Sequence, residues 1–365
     1  MKYAHLADLH LGSWRDEKMR SLSTNAFLTA IDNCVAQQVD FILFAGDLFN
    51  TSLPSLDILK TVTKKLKELS EKDIPIYVIP GSHDFSPSGK TMIDVLEHAG
   101  LLKNVCKGII NPETKQLELE FTIDKKTGAK ITGILGRKGL LDKTYYENLN
   151  LEKLEKEEGY KIFMFHTTLT ELKPKHLEKL DSQPASFLPK RFDYYAGGHI
   201  HHPTKVNVEG IGILTYPGAL FPNNFYELER YSKGGYYLIE KSNVSQEITW
   251  QPLEVIKHHK FELDCNHKSP EVVAFEIQDN FNNLNLKDTI VTIRLKGKLK
   301  IGRVSDINFK VIFEQLYKQE AYFVMKNTSE LNTEDFEDIK IAYSNPESVE
   351  EEIIKEHLQQ LKLFD

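Results

Sequence analysis

The stretch VDFILFAGDLFN, residues 39–50, decides the fold of the first part of the chain. Its five consecutive apolar residues, 41–45, predict a short strand, and a glycine and Asp47 follow directly. Four other apolar runs predict further strands, at residues 2–7, 76–79, 162–165 and 194–196. Helical patterns at 21–38, 54–72 and 90–99 alternate with these strands. Such alternation is typical of an α/β layered fold.

Each predicted strand leads into a cluster that contains Asp or His. The clusters are ADLH (7–10), GDLFN (46–50), GSHD (81–84), FHTT (165–168) and GGHIHH (197–202). In α/β sheets ligands gather at the carboxyl ends of the strands, so residues distant in sequence become neighbours there. The candidate site residues are Asp8, His10, Asp47, His83, Asp84, His166, His199 and His201.

This combination of side chains indicates a metal site. Carboxylates with neutral imidazoles suit Mn, Fe or Zn, and the lack of a nearby cysteine argues against a structural thiolate zinc site. Two ions about 3.5 to 4 Å apart need a carboxylate that bridges them, and Asp47 is the natural bridge. A single Asp-x-His or His-x-His is more often an ordinary structural histidine. Five clusters at strand ends favour the metal interpretation.

The motifs DLH, GDLFN, GSHD, the isolated His of FHTT and GHIH, in this order, resemble those of the calcineurin-like metallophosphoesterase superfamily. The phrases VDFILFAGDLFN, LPKRFDYYAGGHIHH and YPGAL resemble more specifically the nuclease subunits of MR/MRN (SbcCD-type) double-strand-break repair complexes. This resemblance covers most of residues 1–240 and continues more loosely beyond. It implies a layered β-sandwich metallophosphoesterase domain flanked by helices, with a smaller α+β capping domain.

The resemblance also implies a pair of Mn²⁺ ions, with Mg²⁺ or Fe²⁺ as alternatives. One ion would be held by Asp8, His10, Asp47 and His201, and the other by Asp47, His166 and His199. His83 would bind no metal but, backed by Asp84, would stabilise or protonate the leaving 3′ oxygen. Without an acid the leaving group would depart as an alkoxide, which is unstable. A positioned acid that protonates this oxygen therefore lowers the barrier to hydrolysis.

Two positions depart from the common pattern of the superfamily. Most members have Asn where this chain has Ser82, and the shorter hydroxyl is a weaker neutral metal ligand. Ser82 could bind the second ion directly, act through a water, or leave that ion loosely held. Asn50 stands where the family often has a second His that contacts phosphate, and it is the candidate substrate contact.

The pattern divides the chain into three parts: a nuclease domain at 1–245, a DNA-capping domain at 256–344 and a C-terminal helix at 345–365. In the second part, TIVTIRLKGKLK (289–300) alternates and places Arg294, Lys296, Lys298 and Lys300 on one face. This face is either an ordinary solvated face or a stripe that contacts phosphate. The apolar spacing in 349–361 predicts an amphipathic helix that packs on its own domain or on a partner.

Composition restricts the other functional classes. The chain has 365 residues, 41% hydrophobic and 27% charged, which is typical of a folded protein of two or three domains. A net charge of -7 argues against coating nucleic acid by charge alone, but not against gripping phosphate through metal ions. We find no signal peptide or membrane span. The cysteines Cys34, Cys106 and Cys265 are interpreted as reduced thiols of a cytoplasmic protein, associated with the nucleoid in a prokaryote.

The resulting functional hypothesis is a Mn-dependent DNA nuclease with double-strand exonuclease and single-strand endonuclease activity. The resemblance implies a homodimer formed through the helices at 54–72 and 90–99, and a coiled-coil ABC-type ATPase partner bound through 345–365. A phosphoesterase for small molecules or phosphoproteins is the alternative with the same chemistry. A scaffold subunit with little catalytic activity is the alternative from another class, and Ser82 motivates it.

Overall fold

The computed structural model describes residues 1–86, 89–137, 139, 141–173 and 181–333. It divides the chain into two compact units, Met1–Lys257 and the part from His258 onward. The helix that the sequence predicts at 345–365 lies outside the described residues. Within the described part, no helix is long and apolar enough to cross a membrane.

Short strands and helices alternate through the first unit. The strands are β1 Lys2–Leu6, β2 Phe41–Ala45, β3 Ile76–Ile79, β4 Lys103–Asn104, β5 Gly108–Ile110, β6 Leu117–Leu119, β7 Thr122–Ile123, β8 Lys130–Ile134, β9 Lys161–His166, β10 Tyr194–Gly198, β11 Thr204–Val208, β12 Gly212–Tyr216, β13 Gly234–Lys241 and β14 Gln246–Leu253. The helices are α1 Glu17–Ala36, α2 Leu56–Glu71, α3 Met92–His98, α4 Lys143–Glu147, α5 Leu151–Lys156 and α6 Phe225–Tyr231.

Two six-stranded sheets form the frame of this unit. The first has the strand order β14-β13-β1-β2-β3-β4 and the second has the order β11-β12-β10-β9-β8-β7. The centre of each sheet is parallel: β1, β2, β3 and β4 run together in the first, and β8, β9, β10 and β12 in the second. The carboxyl ends of these strands therefore lie along one edge of each sheet.

The sheets pack face to face around one apolar core. Phe41 and Tyr77 of the first sheet share this core with Ile162 and Tyr194 of the second. Helices contact the outer faces: Cys34 of α1 hydrogen-bonds Tyr236 of β13, and buried residues of α4 and α5 pack against β9 and β10. The α/β sandwich flanked by helices that the sequence predicted is thus confirmed.

Local signals explain where the elements begin and end. Asp16 caps α1 by accepting hydrogen bonds from the amides of Lys18 and Met19, so this helix starts four residues before the predicted position. Thr91 and Asp94 form a capping box at the start of α3, and Gly100 follows its end at a φ of 74°.

The predicted hairpin in residues 117–134 forms only in part. β7 and β8 pair as antiparallel strands around a turn at residues 124–129. Residues Leu117–Leu119 instead pair with β5 in a separate two-stranded ribbon. The hairpin is therefore shorter than the alternation of side chains suggested.

The first unit extends past residue 245, where the sequence placed its end. β14 pairs along its whole length with β13 and completes the first sheet. All three cysteines lie in described parts of the chain and are free, with Cys34 and Cys265 buried and Cys106 half-buried. This agrees with the interpretation of the cysteines as reduced thiols.

The second unit is a smaller α/β arrangement. Its elements are β15 Lys257–Asp264, α7 Pro270–Phe281, β16 Thr289–Leu299, α8 Phe309–Lys318 and β17 Phe323–Thr333. The sheet order is β15-β16-β17, and α8 connects the parallel strands β16 and β17. Val291, Ile293 and Leu295 of β16 are buried in the apolar core as predicted, but Thr292 and Arg294 on the opposite face are buried too, so the alternation holds only for the apolar face.

Candidate metal centre

Two loops that follow neighbouring strands form the base of the site. The loop after β1 and the loop after β2 run side by side, joined by backbone hydrogen bonds. The amide of Asp8 donates to the carbonyl of Gly46 at 3.1 Å, and that of His10 donates to Asp47 at 3.0 Å. Because both loops start from buried parallel strands, this pairing fixes Asp8, His10 and Asp47 at one edge of the first sheet.

Several candidate ligands have a backbone conformation that side chains rarely adopt. The φ angle is 51° at Asp8, 42° at His10, 51° at Asp47 and 85° at His199. Left-handed φ values at residues other than glycine cost of order 1 kcal/mol or more and cluster at functional sites. Gly46, at a φ of 89°, is required for a second reason, since a Cβ there would overlap the His166 ring.

The first cluster joins Asp8, His10 and His201, whose ligand atoms all lie within 4.8 Å of one another. His10 Nε2 is 3.1 Å from His201 Nε2, which is 3.7 Å from Asp8 Oδ1. His201 Nδ1 donates to Glu227 Oε1 at 2.9 Å, so in the neutral ring the lone pair of Nε2 points toward His10. Such a lone pair needs a proton or a cation as its partner.

The second cluster joins Asp8, Asp47 and His166, again within 4.8 Å. His166 Nδ1 donates to the carbonyl of Ala45 at 2.8 Å, so the neutral ring presents the Nε2 lone pair to Asp47 Oδ2 at 3.2 Å. A lone pair that faces a carboxylate is repulsive unless a proton or a metal ion lies between them. The two clusters share Asp8, and both acids are almost completely buried.

The pKa shifts show how strongly this site attracts positive charge. Burial alone would lower the pKa of His166, but the Asp47 carboxylate outweighs burial and raises it to about 10. Burial likewise opposes the protonation of His201, yet the Glu227 and Asp8 carboxylates raise its pKa to about 9. Because imidazoles in this field hold protons so tightly, a divalent cation would be attracted to the same place.

Asp47 also joins His10 and His83 in a third group within 4.8 Å. It therefore belongs to two groups, as a bridging carboxylate would, although Asp8 does so as well. His83 Nδ1 donates to the carbonyl of Asn50 at 2.8 Å, which leaves Nε2 as the nitrogen available to a substrate or an ion. Asn50 thus contacts His83 through its backbone, and substrate contact by its side chain stays a prediction.

Ser82 lies beside the predicted metal ligands and contacts one of them, Asp47. Its hydroxyl donates to Asp47 Oδ2 at 3.4 Å, and the amide of His83 donates to Asp47 Oδ1 at 2.7 Å. The GSHD loop therefore holds the Asp47 carboxylate from one side. Metal ligation by Ser82 stays a prediction.

Asp84, which the sequence predicts to support His83, contacts two backbone amides. Its carboxylate accepts hydrogen bonds from the amides of Gly81 at 2.8 Å and Phe49 at 3.3 Å. The hydrogen bond described for the His83 ring runs to Asn50 instead. Asp84 thus ties the GSHD loop to the GDLFN loop, and its role in support of His83 stays a prediction.

His199 lies at the edge of the second cluster. Its amide donates to both oxygens of Asp8, at 2.9 and 3.1 Å, and its ring centroid is 5.2 Å from that of His166. Burial, followed by the charge of His166, lowers the pKa of His199 to about 3, so the ring is neutral. The three groups described above do not include this ring, and its role as a ligand stays a prediction.

Sequence reasoning missed Glu227, which orients a predicted ligand. This carboxylate, 9% exposed, accepts from His201 Nδ1 and from the amide of Asn223. Carboxylates that hold the second nitrogen of a metal-binding histidine fix its tautomer and orientation. The only signal in the sequence is Asn224 three residues earlier, which indicates the start of α6 and carries no information about His201.

The clusters at these strand ends coincide with a known family pattern. The model of the calcineurin-like phosphoesterase family matches residues 1–203 of the chain. The chain belongs to this family. Membership implies divalent metal ions, and the buried carboxylates with facing imidazole lone pairs fit such ions.

Within this family, the chain is similar to several individual proteins. The DNA double-strand break repair protein Mre11 of Methanococcus maripaludis is 30% identical over 64% of the chain, an alignment that spans only 61% of that relative. The protein of the same name from Archaeoglobus fulgidus is 26% identical over 92% of the chain and 79% of its own length. The uncharacterized metallophosphoesterase YhaO of Bacillus subtilis is 25% identical over 81% of the chain and 71% of its own length.

Proposed function

We propose that the protein is a Mn²⁺-dependent DNA nuclease that cuts phosphodiester bonds with two metal ions during double-strand-break repair. The observation that carries this proposal is the pair of acid and imidazole clusters that share an acid, with His83 beside them. The similarity to proteins named for double-strand-break repair, over up to 92% of the chain for the relatives described above, supports DNA as the substrate.

The residues of the centre would have three roles: metal binding, protonation of the leaving group and positioning of the loops. Asp8, His10, Asp47 and His201 would hold one ion, and Asp47, Ser82, His166 and His199 the other. Bound divalent ions neutralise phosphate charge and lower the pKa of water. His83, whose Nδ1–H is fixed by the Asn50 carbonyl at 2.8 Å, would carry a second proton on Nε2 as imidazolium and donate that proton to the leaving oxygen. Asp84 keeps the GSHD loop in register with the GDLFN loop.

Degradation of end-labelled duplex DNA in Mn²⁺ by wild type and by His83→Gln tests this proposal. A general acid contributes about 10² to 10⁴ in rate, so we expect a loss of this size while bound Mn²⁺, measured by mass spectrometry, is retained. Loss of metal together with activity would show that His83 is a ligand.

A small diester, bis(p-nitrophenyl) phosphate, is the control substrate. If wild type hydrolyses it but leaves DNA intact even with the ATPase partner added, the protein is a phosphoesterase for small substrates. If Mn-loaded protein hydrolyses neither, it is a scaffold subunit. Either result rejects the nuclease proposal.

We also propose three partnerships. DNA would be double- or single-stranded, with the second unit as a capping domain. A homodimer would form through α2 and α3, where Leu56 is 82% and Val95 57% exposed. Light scattering of a Leu56→Glu variant should then give the monomer mass.

A coiled-coil ABC-type ATPase would bind through residues 345–365. Deleting these residues should abolish co-purification with the ATPase and spare Mn-dependent hydrolysis of the small diester. Retained binding of the ATPase would refute this assignment.

A further inference from the structure

Arg137 lies beside the metal centre although no motif in the sequence includes it. It follows β8, whose neighbour in the sheet is β9, the strand that ends in His166. The amide of Gly136 donates to the carbonyl of Pro80 at 2.9 Å, directly before the GSHD loop. A Cβ on Gly136 would overlap the His166 ring, so this backbone passes against a predicted metal ligand.

An aromatic ring next to the GSHD loop holds the Arg137 side chain. The guanidinium carbon is 4.9 Å from the ring centroid of Phe85, two residues after His83. A guanidinium stacked on an aromatic face loses little further entropy when it binds a ligand. The geometry therefore places a fixed positive charge on the His83 side of the centre.

This charge has no ion-pair partner among the described residues. The Nε atom is buried and lacks a hydrogen bond within this part of the chain. Burial raises the pKa of the nearby Asp142 to about 6, the charge of Arg137 opposes this rise, and no ion pair within the described residues joins the two side chains. A half-buried guanidinium whose Nε has no hydrogen-bond partner among the described residues, at the edge where ligands gather, indicates an anionic ligand.

We propose that Arg137 binds the phosphate next to the scissile one, on the leaving-group side, and thereby selects polynucleotides over small diesters. The guanidinium fork matches two phosphate oxygens. The scissile phosphate would be bound by the metal ions and does not need Arg137. A flanking phosphate exists only in a polynucleotide, so a residue that binds it would favour such substrates. This inference rests on the proposed nuclease function and adds a residue that determines its specificity.

Steady-state kinetics of Arg137→Gln on duplex DNA and on bis(p-nitrophenyl) phosphate test the inference. A hydrogen bond to a charged group is equivalent to about a tenfold change, so we expect KM for DNA to rise about tenfold with kcat within twofold. Hydrolysis of the small diester should change by less than twofold. Arg137→Lys should recover part of the affinity. Arg191→Gln, at an exposed arginine before the amino end of β10, is the matched control and should match wild type on both substrates.

Equal loss on both substrates, or no loss on either, overturns the inference. Duplex binding measured by fluorescence anisotropy at several salt concentrations separates it from the nuclease proposal. One lost phosphate contact should reduce the slope of log K against log salt by about 1. If wild type binds DNA without cutting it, the nuclease proposal fails while this slope still decides the role of Arg137. An unchanged slope, or no binding by wild type, rejects that role.

Discussion

The charged residues of the metal centre and those of strand β16 differ in the partners that surround them. In β16, Arg294 pairs with Glu330 at 2.8 Å and Lys296 pairs with Glu262 at 2.8 Å, so cations of the predicted basic face have acids beside them. In the metal centre, Asp8 and Asp47 are buried together and face the lone pairs of imidazoles.

The difference separates charges that serve the fold from charges that serve chemistry. A surface pair such as Lys296 with Glu262 contributes little to stability, about 0 to 1 kcal/mol, and needs no ligand. Buried acids that converge on strained backbone are expensive unless a bound cation compensates them. The convergence of buried acids and imidazoles on one sheet edge, more than the residue types alone, therefore marks the functional site.

Removing Asp47, the predicted bridging acid of the centre, should have the largest effect. Asp47→Asn is expected to lower hydrolysis of bis(p-nitrophenyl) phosphate by on the order of a thousandfold or more, because metal ligation is lost. Bound Mn²⁺ should fall in parallel, as measured by mass spectrometry. Asp32→Asn, which removes an exposed acid paired with Lys65, is the control and should behave as wild type. Full metal content in Asp47→Asn would show that Asp47 is not a metal ligand and would contradict the contrast drawn between the metal centre and β16.

Glu227→Gln should weaken the centre without dismantling it. The amide keeps the shape of the carboxylate but loses the charge that orients His201, and such contacts are worth about 10- to 100-fold in metal affinity. We expect a Mn²⁺ titration of activity to shift by this factor, with wild-type rates recovered at high Mn²⁺. An unchanged titration curve would mean that Glu227 only holds Asn223 and Asn224 at the start of α6.

Ser82→Asn should strengthen the second metal site, because it adds the amide that is common at this position in the family. We expect calorimetry of wild type to show two unequal Mn²⁺ sites and the variant to bind the weaker ion about tenfold more tightly, in the range that one neutral ligand contributes. Two equally tight ions in wild type would contradict the assignment of a loosely held second metal.

The smallest effect is expected in the second unit. Lys296→Gln should change the free energy of unfolding by no more than about 1 kcal/mol and duplex affinity by less than twofold, because Glu262 already neutralises this cation. The comparison variant is Lys298→Gln with Lys300→Gln, at two exposed lysines of the same segment. Urea unfolding and anisotropy measure the two quantities, and a tenfold loss of affinity in the first variant would show that the paired face contacts DNA.

Short runs of three to six residues were enough to place β1, β2, β3, β9 and β10 within about two residues. Such runs are local, and the carboxyl ends of parallel strands meet whatever the loops do. The eight Asp and His candidates at these ends could therefore be named before any geometry was known. The structure brings six of them into groups of potential metal ligands, leaving out Asp84 and the His199 ring.

The contacts that orient these side chains followed from tertiary structure alone. His83 is held by a carbonyl 33 residues away, His201 by an acid 26 residues away, and Arg137 by the ring of Phe85 on another loop. Asp84 binds backbone amides although its neighbour His83 seemed the obvious partner. Backbone carbonyls and loop conformations leave no pattern in the side chains, so only the packing of the two sheets and their loops determined these contacts.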